Sequence, residues 1–141
     1  MNTSKQGDVT EMRVATFLME RGYTVLDPIG DNDRYDFVVD TKGRFVRVQV
    51  KTGRIQDENV VFNCKSTKSN TKECRDEPYR SDEIDGFAVY CPENDGYYWV
   101  PIEETGSYEK WLRVEEATHP NSNINWAEDY ELAKRFASAH G

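Results

Sequence analysis

Between residues 4 and 21 the apolar positions recur at helical spacing. Val14, Ala15 and Leu18 stand at i+3, i+4 and i+7 from Glu11, which predicts an amphipathic helix with Gly22 as its C-terminal stop. The period then falls to two. Residues 23–26 read as a short strand ended by Asp27-Pro28, and residues 35–39 and 45–51 as the two arms of a hairpin turning at Asp40-Thr41-Lys42-Gly43. Residues 60–63 add a further strand. Residues 65–80, rich in Ser, Thr, Asn and Lys, carry no period and are predicted as a long mobile loop. Unstructured loops beyond ~12–15 residues are uncommon in compact domains, so this length itself suggests function. Residues 86–90 and 97–100 form a second hairpin around Glu93-Asn94-Asp95-Gly96, whose composition suits a tight turn. Residues 111–114 are strand-like. Residues 126–139, with Ala127, Tyr130, Ala133 and Ala137 on one face, predict a C-terminal helix. The order predicts an α+β fold: a mixed β-sheet flanked by an N-terminal and a C-terminal helix.

The first hairpin carries the candidate chemistry. Val46, Val48 and Val50 share the core face, so Gln49 and Lys51 share the other. Pairing of the two arms brings Asp36 opposite them, and a carboxylate, an amide carbonyl and an ammonium then meet at one spot. Glu11 lies on the inner face of the predicted helix, where a carboxylate needs a partner. Gly30-Asp31-Asn32-Asp33-Arg34 forms a turn just before Asp36. Thr52-Gly53-Arg54 ends the second arm where a basic stretch begins. Hard oxygen donors for Mg²⁺ beside a cation are what metal-dependent phosphodiester hydrolysis requires.

Composition adds bounds to this picture. At 141 residues the chain is one domain, residues 1–141, able to bury roughly two-thirds of its unfolded surface. Charged residues make up 31%, above the usual ~25%, so the core is economical. There is no long apolar run and no charged-then-apolar N-terminal signal, which predicts a cytoplasmic protein without a membrane partner. Cys64, Cys74 and Cys91 show no Cys-x2-Cys spacing, and an odd count argues against a disulfide framework. His119 and His140 have no partner at ligand spacing and read as surface residues. The net charge of −8 opposes nucleic-acid binding in general, but the charge is unevenly distributed. Residues 44–80 hold nine Lys or Arg against five Asp or Glu, a local basic footprint that begins at the candidate site.

The motifs Gly7-Asp8, Glu11, Tyr23, Leu26, Gly30-Asp31-Asn32, Arg34-Tyr35-Asp36 and Arg47-Val48-Gln49-Val50-Lys51-Thr52-Gly53 resemble the PD-(D/E)XK nuclease superfamily. Tyr79, Asp85-Gly86-Phe87-Ala88-Val89-Tyr90 and Tyr98-Trp99-Val100-Pro101 extend the likeness to about Tyr130. It is nearest to the small Gln-x-Lys branch that includes a cyanobacterial group I intron homing endonuclease. Archaeal Holliday-junction resolvases are more distantly similar.

The resemblance implies a restriction-endonuclease-like core and a Mg²⁺-dependent DNA endonuclease, with Mn²⁺ able to substitute. Glu11, Asp36, Gln49 and Lys51 would be catalytic. The metal would be held by Glu11, Asp36, the Gln49 side-chain carbonyl and the Val50 backbone carbonyl, and Lys51 would orient the attacking water and stabilise the phosphate charge. Arg34, Arg47, Arg54, Lys65, Lys68, Lys72 and Arg75 are the expected DNA contacts. Homing, restriction-like and repair nucleases, junction resolvases and a non-catalytic nuclease-fold DNA-binding protein all share these motifs. Paired cuts need a homodimer or higher oligomer, with Tyr97, Tyr98, Trp99, Tyr108 and Trp111 as expected contacts.

Overall fold

A computed structural model describes residues 2–69, 74–115 and 124–140. Helix α1 spans Thr3–Glu20. Asn2 caps it, its side-chain oxygen accepting from the Lys5 amide at 2.8 Å. Gly22, at φ 91°, ends it in a Schellman motif: its amide reaches the Met19 carbonyl and the Tyr23 amide reaches that of Leu18.

Strands β1 (Thr24–Leu26), β2 (Phe37–Asp40), β3 (Phe45–Thr52), β8 (Gly86–Cys91) and β9 (Gly96–Pro101) form the main sheet in the order β1-β2-β3-β8-β9. Only the β3–β8 pairing is parallel, so the predicted mixed sheet is present. A second sheet, in the order β10-β5-β4, comprises β4 (Arg54–Gln56), β5 (Asn59–Asn63) and β10 (Glu109–Arg113).

Two apolar clusters build three layers. On one face of the main sheet Phe37, Val39, Val46, Val48, Val50, Ala88 and Trp99 meet Val14 and Leu18 of α1 and Leu132 and Phe136 of helix α2 (Leu132–His140). On the other, Phe87, Val89 and Val100 meet Val60 and Phe62 of β5 and Leu112 of β10. Strand β8 is buried along its whole length because both its faces are covered.

The structure corrects three sequence expectations. Residues 65–80 are not one long loop: β6 (Lys65–Ser69) and β7 (Cys74–Pro78) form an antiparallel ribbon in which Lys65 pairs with Pro78 and Lys68 with Arg75. Such a ribbon is held by its backbone ladder and needs no apolar alternation to signal it. The helix expected over residues 126–139 is interrupted. A 3₁₀ turn, Ala127–Tyr130, precedes α2, because Glu131 leaves helical geometry, with φ −56° and ψ 127°, and bridges to Tyr98. Tyr98 and Trp99, expected as oligomer contacts, are buried within the chain. Tyr97 is half-buried and stacked on Phe17, whereas Tyr108 is 72% exposed.

Cys64 and Cys91 are buried free thiols. The side chain of Cys74, His119 and the side chain of His140 lie outside the described residues. Among the described residues no helix is long and apolar enough to cross a membrane.

Candidate active site

The site stands where β2 begins and β3 ends. Phe37 pairs with Val48, so Asp36, one residue before β2, falls beside Gln49. Its amide donates to the Val48 carbonyl at 2.8 Å, and its Oδ2 accepts from the Val50 amide at 2.8 Å. That amide lies past the end of the β2 ladder, and the carboxylate is its partner. The burial of β3 alternates: Val46, Val48 and Val50 are buried, whereas Gln49 and Lys51 are half-buried on the opposite face. The Gln49 amide nitrogen faces the Val50 carbonyl at 3.4 Å. Asp36, Gln49, Ser66 and Tyr79, with the Asp31–Arg34 segment at the rim, line a cavity of about 320 Å³. Three larger hollows, of about 610, 630 and 350 Å³, lie along β9 and β10, on the outer side of α1, and among α1, β9 and α2, apart from these residues.

Glu11 reaches the same region from α1. A hydroxyl pair, buried Thr10 and half-buried Thr52 at 2.8 Å, fastens the helix to the end of β3. Burial and then repulsion from Asp36, with smaller effects of Asp27 and Asp8, push the Glu11 carboxyl up to about 7. Burial also raises Asp36, partly offset by the Val50 amide and by Lys51. Lys51 is lowered by burial, which outweighs the attraction of Asp36. Its Nζ donates to the Lys65 carbonyl at 3.0 Å and lies 5.2 Å from the Tyr79 ring centroid.

Several expected DNA contacts are engaged within the chain. Arg34 Nη1 stands 3.3 Å from Glu83 and 3.6 Å from Glu77, and its guanidinium lies 4.3 Å from the Tyr79 ring centroid. Its Nε is buried without a hydrogen-bond partner among the described residues. Arg47 donates to the Asp85 carboxylate through Nη2 at 3.1 Å and to the Asp82 and Ser81 carbonyls. Burial by itself would raise Asp85, but the bonds from Arg47 outweigh it and hold the carboxyl below its ordinary range. Arg54 pairs with Glu109 at 2.6 Å. Lys65 opens β6, with its ammonium 4.8 Å from the Tyr108 ring. Lys68 and Arg75 face each other in the ribbon register, their side chains outside the described residues, and Lys72 lies wholly outside them.

Sequence reasoning gave no role to Tyr79 or Ser66, which line the cavity. They join it through β6 and β7, and no spacing relative to Asp36 announces that.

The donor set suits a hard cation. Among the described residues no three His, Cys, Asp or Glu side chains cluster tightly enough to hold a metal by themselves. The oxygens on offer are two carboxylates, one amide and one backbone carbonyl. Burial first, and then the charge of Asp36, raise the proton affinity of Glu11, and a divalent cation would relieve both. The Gln49 amide can present Oε1 in place of Nε2 by rotating about its last bond.

Comparison with known proteins agrees with this geometry. The structure matches a bacterial homing endonuclease, I-Ssp6803I, with a TM-score of 0.80 and 25% identity, over 100% of this chain and 96% of that one. No curated protein sequence matches the chain. The family model for the PD-(D/E)XK endonucleases matches residues 1–133, and the chain belongs to that nuclease family.

Proposed function

We propose that the chain is a Mg²⁺-dependent endonuclease that hydrolyses phosphodiester bonds of duplex DNA in the manner of a homing endonuclease. One observation carries the metal assignment: Glu11, from α1, feels the negative charge of Asp36, which lines a cavity together with Gln49. The homing-type substrate is supported by the near-complete overlap with the bacterial homing endonuclease.

Glu11, Asp36, Gln49 and the Val50 carbonyl hold the cation, Mg²⁺ or in its place Mn²⁺. The cation supplies Lewis-acid polarisation of the phosphate and activation of water. Asp36 keeps its orientation through the Val50 amide. Lys51, beside Asp36, orients the attacking water and offsets the charge that develops on the phosphate. Purified protein with Mg²⁺ should cut a duplex within a panel that also holds four-way-junction, flap and single-stranded DNAs. Cleavage of the junction alone would make it a resolvase, and binding without cleavage a non-catalytic nuclease-fold protein.

The β6–β7 ribbon supplies the DNA contacts. Replacing Lys65, Lys68, Lys72 and Arg75 with Gln should flatten the dependence of log affinity on log salt by up to ~0.9 per lost contact. An unchanged slope in a folded variant would remove the ribbon from the interface.

One small site cuts one strand at a time, so paired cuts need two copies related by symmetry. Tyr98 and Trp99 are committed to the core, which leaves Tyr108 as the exposed aromatic of that region. Light scattering at micromolar concentration should give a dimer or larger assembly. A strict monomer that still makes paired cuts would refute it.

A further inference from the structure

At the foot of the β6–β7 ribbon, two segments distant in sequence from the nuclease motif close on Lys51. Lys65, the first residue of β6, presents its carbonyl 3.0 Å from Nζ. Tyr79, the first residue after β7, brings its ring centroid to 5.2 Å from the same atom. Because Lys65 pairs with Pro78, carbonyl and ring stand together at the ribbon's base.

We propose that Tyr79 is a positioning residue for the nuclease reaction: its ring face, with the Lys65 carbonyl, forms a cradle that holds the Lys51 ammonium beside the cavity that Tyr79 lines. The proposal rests on the reading of Lys51 as the charge partner of the scissile phosphate.

The chemistry favours a ring in this place. A carboxylate would bind the ammonium through a directed bond and cancel its charge. An aromatic face attracts the cation through its quadrupole and leaves the positive charge available to a substrate. Arg34 lies over the same ring, but Glu83 and Glu77 offset its charge, which lessens its repulsion of Lys51. The ring itself is fixed. Phe87 meets it edge-on at 5.4 Å from within the core, and Ser66 of β6 lines the same cavity beside it. The cradle is therefore tied to both the core and the ribbon.

Two measurements test the cradle. In protein carrying ¹³C-labelled lysine, the ε-methylene protons of Lys51, assigned by their loss in Lys51→Ala, should lie upfield of the other lysines through the ring current. Tyr79→Leu should return them to the common position, and Tyr79→Phe should not. The second uses the duplex that the wild type cuts. Phenylalanine at position 79 and its mono-, di- and trifluoro analogues share one shape but weaken the ring face stepwise. Across that series kcat should fall by about tenfold while KM stays within about twofold. A flat kcat, or a Lys51 signal indifferent to Tyr79→Leu, would overturn the proposal. Full cleavage by Lys51→Ala would instead overturn the reading beneath it, whereas an inactive Lys51→Ala with a flat fluorine series removes Tyr79 alone.

Discussion

Replacing Asp36 with Asn is expected to lower cleavage by at least ~10³-fold while the fold stays intact, the scale of losing a metal ligand's contribution to the transition state. The Asn variant is the informative one. Asp36 Oδ2 is the acceptor for the Val50 amide, and Asn keeps an oxygen there. Alanine would leave that amide without an acceptor, at a cost of about 1–3 kcal/mol, and would mix a folding defect into the result. Metal binding measured by calorimetry should weaken in Asp36→Asn in step with cleavage. Lys51→Ala should separate the two quantities. Mg²⁺ and DNA should still bind, but turnover should fall by ~10²–10³-fold, because the ammonium acts on charge that exists only in the transition state. Cleavage at the wild-type level by either variant would remove this cavity from the mechanism.

The first hairpin was legible because its chemistry is written in strand period. Val46, Val48 and Val50 announce the buried face, and Gln49 and Lys51 must then share the other. The turn from β4 into β5 was not legible. Asp57 and Glu58 both adopt positive φ, 49° and 65°, in a two-residue loop where Asn-Gly is the usual signal, so β4 had no marker. The ribbon was missed for a related reason, since its pairing is a matter of backbone ladders and its composition resembles a solvated loop. Arg34 and Arg47 read as cations available to phosphate. Their acidic partners, Glu83 and Asp85, stand 49 and 38 positions away, and no local pattern links them. Glu11 is the opposite case. The helical period aimed it inward, and the structure adds that its neighbour there is another carboxylate.

Glu11→Gln should therefore stabilise the protein while disabling it. The carboxyl titrates near 7 in the folded chain against an ordinary 4.5, so the folded state holds a proton that the unfolded state has already released. Below pH 4.5 both states are protonated and Glu11 costs nothing. Between 4.5 and 7 the native protein loses stability as pH rises, and above 7 the full penalty is present. Taken whole, the displacement is worth roughly 3 kcal/mol, and partial exposure to solvent reduces that to about 1–2 kcal/mol. Denaturant unfolding should show wild type and Glu11→Gln equally stable near pH 4.5, with the variant ahead by about 1–2 kcal/mol at pH 8. Mg²⁺ should close much of that gap by stabilising the wild type more than the variant, since the cation offsets the buried charge of Glu11 and its repulsion from Asp36. Cleavage by the variant should fall by ~10²-fold or more, the trade of stability for activity expected where like charges are gathered around a metal. A stability difference that does not change with pH would mean that neither burial nor Asp36 raises the Glu11 carboxyl, and a gap untouched by Mg²⁺ would mean that Glu11 does not share the cation.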